Sequence, residues 1–178
     1  SYTSQALPVP ANNALNNLGT PFALVSSDAA GISRNATTPD IGAYEFTPAP
    51  FDLAAVAIQT QGGCSGPNQT VGVRLRSVGT NTWNFATDSA VITLNITGPG
   101  APQAFSFTVN TDTLASGAER NFTITLAADF TLGGNYTLSA EVQSANDGNA
   151  LNNTNNRTIN VVAPVAQPYT EIFNGSGT

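Results

Sequence analysis

A loop rich in oxygen-bearing side chains is the first candidate for chemistry in this sequence. Asn146, Asp147, Asn149 and Asn152 lie close together, and carboxylate and amide oxygens are the ligands that Ca²⁺ prefers. The loop lacks the D-x-[DN]-x-[DN]-G order and the terminal Glu of an EF-hand. A hairpin turn with Asn and Gly in left-handed conformations explains the same residues. Asp147, Asn149 and Asn152 are therefore candidate calcium ligands with a turn as the alternative, and no other cofactor is predicted.

The residue types that are missing exclude most catalytic mechanisms from this segment. The chain contains no His and no Lys, which excludes Ser-His-Asp and Cys-His nucleophiles, imidazole metal sites, Schiff bases and P-loops. The single Cys64 has no partner for a disulfide within the chain. We expect it to be a small half-buried side chain, with an intermolecular bridge as the alternative. The sequence predicts that this segment is not an enzyme.

The composition predicts an acidic surface rich in amides and hydroxyls. The formal net charge is −6, and only 9% of the residues are charged, against roughly 25% in an average soluble domain. Nucleic acids and anionic membranes attract clustered Lys and Arg, so neither is an expected partner. No apolar run is long enough for a membrane-spanning helix. This composition favours an extracellular or outer-cell-surface location.

Apolar residues that alternate with polar ones predict short strands. Phe122, Ile124 and Leu126 alternate with Thr123 and Thr125, so we expect the first three to face inward. Turn-forming Gly, Pro, Asn and Asp residues separate such stretches. Strands are predicted at 51–59, 69–77, 81–86, 89–97, 103–109, 119–127, 134–143 and 156–162. Short strands at this spacing are typical of an antiparallel Ig-like β-sandwich.

Large aromatic side chains are expected to fill or rim the core of this sandwich. Phe105, Phe107 and Phe122 lie on alternating strands and are expected to point inward. Exposed aromatics on one sheet face would instead form a platform for stacking sugars. The aromatic residues considered are Trp83, Phe85, Phe105, Phe107, Phe122, Phe130 and Tyr136.

Proline-rich sequence flanks the predicted sandwich on both sides. We divide the chain into an N-terminal part at 1–47, a short stiff linker at 48–50, the sandwich at 51–163, and a further linker with the first strand of another module at 164–178. The chain contains no Met. We therefore expect it to be a segment of a longer polypeptide.

The stretch DAAGISRNATTPDIGAYEF at 28–46 resembles the closing rung of secreted right-handed parallel β-helix proteins of Bacteroidota. The resemblance is carried by Asp28, Gly31, Arg34 and the run PDIGAYEF at 39–46. It implies that residues 1–47 are the C-terminal rung or cap of a parallel β-helix.

Four further stretches resemble the bacterial cell-adhesion-related Ig-like repeats of the CARDB type. They are VGVRLRSVGTNT at 71–82, NFATDSAVITLNITGPG at 84–100, VNTDTLASGAERNFTITL at 109–126 and GGNYTLSAEVQSANDGNALNN at 133–153. PYTEIFNGSGT at 168–178 resembles the opening strand of an adhesin-type module. Together these resemblances imply part of a long surface protein exported by type IX secretion.

Charged residues of the β-helix-like stretch have two interpretations. Asp28, Arg34, Asp40 and Glu45 are similar to a polysaccharide lyase site, in which acidic residues bind calcium and an Arg acts as base. Alternatively, Asp28 and Asp40 cap turns while Arg34 pairs with a carboxylate. Charged residues in Gly-rich turns usually satisfy backbone groups. We therefore expect Asp28, Arg34 and Asp40 to form a structural cap and predict no catalytic residue.

Two tripeptides, at 88–90 and 112–114, resemble the D-[ST]-aliphatic acceptor pattern of O-glycosylation in Bacteroidota. The resemblance implies sugars on Ser89 and Thr113, where they would add solubility and shield surface loops. The Asn-x-Ser/Thr sequons reflect an Asn- and Thr-rich chain and are not expected to be glycosylated.

The predicted function is a non-catalytic structural or adhesive module of a large extracellular bacterial protein, acting as spacer and scaffold. One alternative is a carbohydrate-binding accessory module of a β-helix enzyme that degrades polysaccharides. Another is a subunit of an extracellular assembly joined by strand complementation. The expected partners are other modules of the same polypeptide, surface glycans or a partner chain.

Overall fold

The computed structural model describes residues 15–60 and 65–163. The predictions for Cys64 and for the strand at 168–178 lie outside the described residues. Within them, no helix is long and apolar enough to cross a membrane.

The described residues form short strands that pair only antiparallel. The strands are β1 (Leu53–Thr60), β2 (Gln69–Ser77), β3 (Trp83–Asn84), β4 (Ala90–Thr97), β5 (Gln103–Val109), β6 (Thr113–Leu114), β7 (Glu119–Ala128), β8 (Gly134–Gln143) and β9 (Thr154–Val161). A 3-10 turn, Ala150–Asn152, lies between β8 and β9. The predicted all-β antiparallel fold is confirmed. Only β6 had not been predicted.

The strands form a three-stranded sheet, β1-β2-β7, and a four-stranded sheet, β5-β4-β8-β9, with β3 and β6 as a small separate pair. Because β2 pairs with β7 and β4 with β8, the chain crosses repeatedly between the sheets. Alternation buries one face of each strand, and each fully buried Val, Leu or Ile stabilises the fold by about 1.5–3 kcal/mol. The most deeply buried aliphatic residues include Leu53, Val71, Val73, Leu75, Ile92, Leu94, Leu138 and Val142.

A row of aromatic rings contributes to the core. Phe51 meets Trp83 edge-on at 5.5 Å between ring centroids, and Phe85 meets Phe122 at 5.8 Å. The Trp83 indole N–H donates to the carbonyl of Asp88 at 2.8 Å. This bond satisfies the polar atom of the buried ring.

Two residues expected in the core are exposed. Phe107 is 38% exposed, because β5 is the edge of the four-stranded sheet and faces a sheet with one strand fewer. Leu126 is 66% exposed, whereas Thr125 is buried. The β2–β7 pairing contains bulges on either side of Val71, and an extra residue reverses the faces of a strand. The inward prediction was wrong for Leu126, whereas Phe107 lies on the core-facing side of β5, opposite buried Ile92, and only rims the core.

Residues 15–52 contain no strand. Their β-type pairing is an isolated antiparallel bridge between Ser27 and Ser33. A parallel rung is therefore not seen in the described residues, and the β-helix stays a prediction. Leu18, Phe22 and Leu24 of this segment are largely exposed. They give the segment an apolar surface.

Candidate functional site

The backbone of residues 49–52 is docked onto two loops of the sandwich. The carbonyls of Ala49 and Pro50 accept hydrogen bonds from the β2–β3 loop, at 3.1 Å from Thr80 N and 2.9 Å from Asn81 N. On the other side, the carbonyl of Phe51 accepts from Gly148 N of the β8–β9 loop at 2.9 Å. We refer to residues 49–52 as the docked linker.

Two glycines allow this close approach. A Cβ at position 79 would lie 2.6 Å from the carbonyl oxygen of Pro50 and 2.8 Å from the backbone nitrogen of Asp52. A Cβ at position 148 would lie 2.6 Å from the Cβ of Ala49. Both distances are far below carbon contact distances, so Gly79 and Gly148 are required for the docked linker to approach.

An acidic and amide-rich cluster lies where the docked linker enters β1. It consists of Asp52, Asp147, Asn149, Asn152 and Asn153, and we refer to it as the junction cluster. Asp52 is 5% exposed; its carboxylate accepts from the side-chain amides of Asn152 at 2.8 Å and Asn149 at 3.5 Å. These bonds join the start of β1 to the β8–β9 loop.

Asp147 is the second carboxylate of the junction cluster. Its Oδ1 accepts from Asn149 N at 3.2 Å and Leu53 N at 3.4 Å. Burial raises the pKa of Asp147, and the charge of Asp52 acts in the same direction, while the backbone hydrogen bonds from Asn149 and Leu53 and the nearby Asn153 side chain oppose them. Two carboxylates thus share a partly desolvated space.

Three oxygens of the junction cluster are buried with no hydrogen-bond partner: Asp147 Oδ2, Asn152 Oδ1 and Asn153 Oδ1. Asn153 is 6% exposed as a whole residue. Unpaired buried acceptors are rare in folded proteins because each costs desolvation free energy. No group of three or more His, Cys, Asp or Glu side chains placed for a metal occurs in residues 15–60 and 65–163. Any ion at this cluster therefore needs the amides as ligands.

The structure brings the three predicted calcium candidates together and adds two residues. Asn149 contacts the cluster through its amide, while its Oδ1 accepts from Leu151 N at 3.3 Å. Asn146 of the original group instead donates to Asp88. Sequence reasoning missed Asp52, which is 97 residues from Asn149, and it missed Asn153.

The charged residues of the N-terminal segment bind mainly backbone groups. The carboxylate of Asp28 accepts from Ala30 N and Ile32 N at 2.8 Å each and from Glu45 N at 3.0 Å. Burial opposes ionisation of Asp28, but these hydrogen bonds and the charge of Arg34 lower its pKa below the usual value. Asp28 thus joins two turns of the segment.

Asp40 and Arg34 make further connections within the same segment. The two Asp40 carboxylate oxygens accept from Asn17 N and Phe46 N at 2.6 Å each. Arg34 donates to the carbonyl of Gly42 at 2.5 Å and forms an ion pair with Glu45 at 3.4 Å. These contacts hold the turns to one another.

Ser89 and Thr113, the proposed sugar acceptors, are both exposed. Ser89 precedes β4 and its carbonyl accepts from the hydroxyl of Ser144 at 2.9 Å. Thr113 belongs to β6, beside Asp112, whose carboxylate pairs with Arg120 at 2.7 Å.

Comparison with known proteins gives structural likeness alone. No protein-family model matches the sequence, and no curated protein matches it either. Among solved structures, the chain is similar to the CARDB domain of a Pyrococcus furiosus protein in complex with di-metal ions, with 22% identity, coverage of 67% of this chain and 95% of that chain, and a TM-score of 0.46.

It is also similar to part of DesR, a β-glucosidase from Streptomyces venezuelae in complex with D-glucose. The identity is 15%, the coverage is 76% of this chain and 17% of that chain, and the TM-score is 0.36. The chain therefore spans a small part of the enzyme's length. Both TM-scores are below 0.5, so the fold rests on the strands and their registers.

Proposed function

We propose that the chain is a non-catalytic, CARDB-type structural module of a larger extracellular bacterial protein, in which it holds neighbouring segments in a set orientation. The observation that carries this proposal is the docked linker. Five backbone hydrogen bonds and two glycine contacts fix residues 49–52 against loops from both sides of the sandwich. A freely flexible linker would need none of these contacts.

The composition and the N-terminal segment support the same function. An acidic surface rich in amides and hydroxyls, with no His and no Lys, suits a spacer better than a catalyst. The resemblance of 28–46 to a closing rung supports a position after a parallel β-helix. The exposed Leu18, Phe22 and Leu24 form the kind of apolar surface that preceding rungs would cover.

Adhesion, type IX secretion and sugars on Ser89 and Thr113 belong to this proposal through the resemblances alone. The carbohydrate-binding alternative gains no support from the described residues. Phe107 is exposed on β5, but its neighbour on the same face, Phe105, packs against the core. A sugar platform needs more than one exposed ring on a face.

The test is ¹⁵N NMR relaxation on the complete 178-residue chain. If the linker holds the two parts together, backbone amides of 28–46 and of β2 and β8 will report the same rotational correlation time. A control variant with Gly-Gly-Ser-Gly inserted between Thr47 and Pro48 should give a shorter time for 28–46. Two different correlation times in the unmodified chain would contradict the spacer function.

A further inference from the structure

We propose that the junction cluster is a Ca²⁺ site, with Asp52, Asp147, Asn152 and Asn153 as protein ligands. Each supplies a carboxylate or amide oxygen, and Ca²⁺ takes six to eight oxygen ligands, with water completing the shell. Asn149 positions Asp52 through its amide, because its own oxygen is already bonded to Leu151 N.

The unpaired oxygens point to a missing partner of positive charge. Asn153 is more than nine-tenths buried, yet its Oδ1 has no donor, and the same holds for Asn152 Oδ1 and Asp147 Oδ2. Asn153 lies beside Asp147, and Asn152 donates to Asp52. The three unpaired oxygens thus belong to neighbouring residues of one cluster that contains both carboxylates.

The charges lead to the same conclusion. Neither Asp52 nor Asp147 takes part in an ion pair among the described residues. Two neighbouring carboxylates that are partly removed from water are costly unless a cation compensates them. A bound Ca²⁺ would neutralise both and occupy the unpaired oxygens at the same time.

The ligand chemistry selects the ion. Zn²⁺ prefers nitrogen and sulfur ligands, which the junction cluster lacks. Mg²⁺ demands a small octahedral shell and keeps most of its waters, whereas Ca²⁺ accepts irregular sets of amide and carboxylate oxygens. With only two carboxylates, the expected Kd is in the range of extracellular modules, about 10⁻⁴–10⁻³ M.

The experiment is a thermal melt of the complete chain, first in EDTA and then with Ca²⁺ added in steps to a final excess. At a free Ca²⁺ concentration about ten times Kd, linkage predicts a rise in Tm of about 3–6 °C for a chain of this size. Mg²⁺ at the same concentration should give a smaller rise. No shift with Ca²⁺ would overturn the proposal.

The decisive variant is Asp147→Asn. It keeps an oxygen for Leu53 N and Asn149 N but removes one charge. If the cluster is a cation site, the variant loses the response to Ca²⁺, and its Tm in EDTA equals or exceeds that of the unmodified chain because repulsion with Asp52 is relieved. A lower Tm in EDTA, or a retained Ca²⁺ response, would overturn the proposal in favour of a water-filled structural network or another site.

Asp112→Asn is the matched control, because Asp112 is an exposed aspartate outside the junction cluster; it should keep the full Ca²⁺ response. Should Asp147→Asn fail to fold, amide shifts of the unmodified chain during the titration decide instead. They must be concentrated at residues 52–53 and 147–153, and shifts spread over the surface would contradict a site. The relaxation test of the spacer function is run in EDTA, so either proposal can fail without the other.

Discussion

Replacing Gly79 with Ala should release the docked linker while leaving the sandwich folded. The added Cβ would lie 2.6 Å from the Pro50 oxygen and 2.8 Å from both Asp52 N and Phe51 Cα. These are backbone atoms, so no side-chain rotation relieves the overlap. The linker or the β2–β3 loop must move apart, and Gly79 itself lies outside every strand.

The loss can be worked out from the contacts that such a movement breaks. The bonds from Thr80 N and Asn81 N to the linker carbonyls contribute about 0.5–1.5 kcal/mol each. The edge-on contact of Phe51 with Trp83 adds about 0.5–1.5 kcal/mol. The expected fall in the free energy of unfolding is therefore about 1.5–4.5 kcal/mol for Gly79→Ala.

Urea unfolding followed by fluorescence measures this change, because Trp83 is the only tryptophan and contacts the linker directly. Gly100→Ala is the matched control, since its Cβ would meet its nearest neighbour, a Leu132 methyl, at 3.9 Å. We expect the control to stay within about 0.5 kcal/mol of the unmodified chain. Equal stability of the two variants would refute the idea that the close approach at Gly79 holds the linker.

Three further outcomes follow from other parts of the molecule. The folded-state pKa of Asp28 is lowered, so its contribution to stability is present above about pH 3.9 and is lost as the pH falls through the lowered pKa. An NMR titration of the Asp28 carboxyl carbon should therefore give a midpoint below about 3.9. A higher midpoint would contradict the role of its hydrogen bonds. Phe122→Ala, in the core, should lower the free energy of unfolding in urea by about 3–5 kcal/mol. Phe107→Ala, at the exposed edge, should lower it by less than about half of that. Equal losses would show that both rings are buried to the same extent. Gly98→Ala would press a methyl group into the ring of Tyr136 and should lower the free energy of unfolding by about 1–3 kcal/mol through overpacking. Calorimetry should therefore give a lower Tm. An unchanged Tm would show that the ring moves freely.

The strands were predictable because each one carries its own alternation of buried and exposed residues. The failures come from the sheet as a whole. Leu126 faces solvent because of bulges in the pairing with β2, and Phe107 is only partly covered because β5 lies at an edge. Neither feature is visible in the local sequence. A two-residue strand such as β6 is too short to show any period.

The junction cluster was half predictable for a similar reason. Asp147, Asn149 and Asn152 share one loop, so their common oxygen chemistry can be read from the sequence. Asp52 reaches Asn152 across a separation of 100 residues, which only the packing of β1 beside the β8–β9 loop creates. Asn153 gave no local sign that it would be buried. It owes its burial to its place immediately before β9.

The docked linker also determines how the module would carry a pulling force. Tension that arrives from the N-terminal side reaches residues 49–52 before it reaches β1. There the backbone bonds lead into two loops, one that follows β2 of the three-stranded sheet and one that connects β8 and β9 of the four-stranded sheet. The load is therefore divided between loops of both sheets before it reaches the edge strand β1.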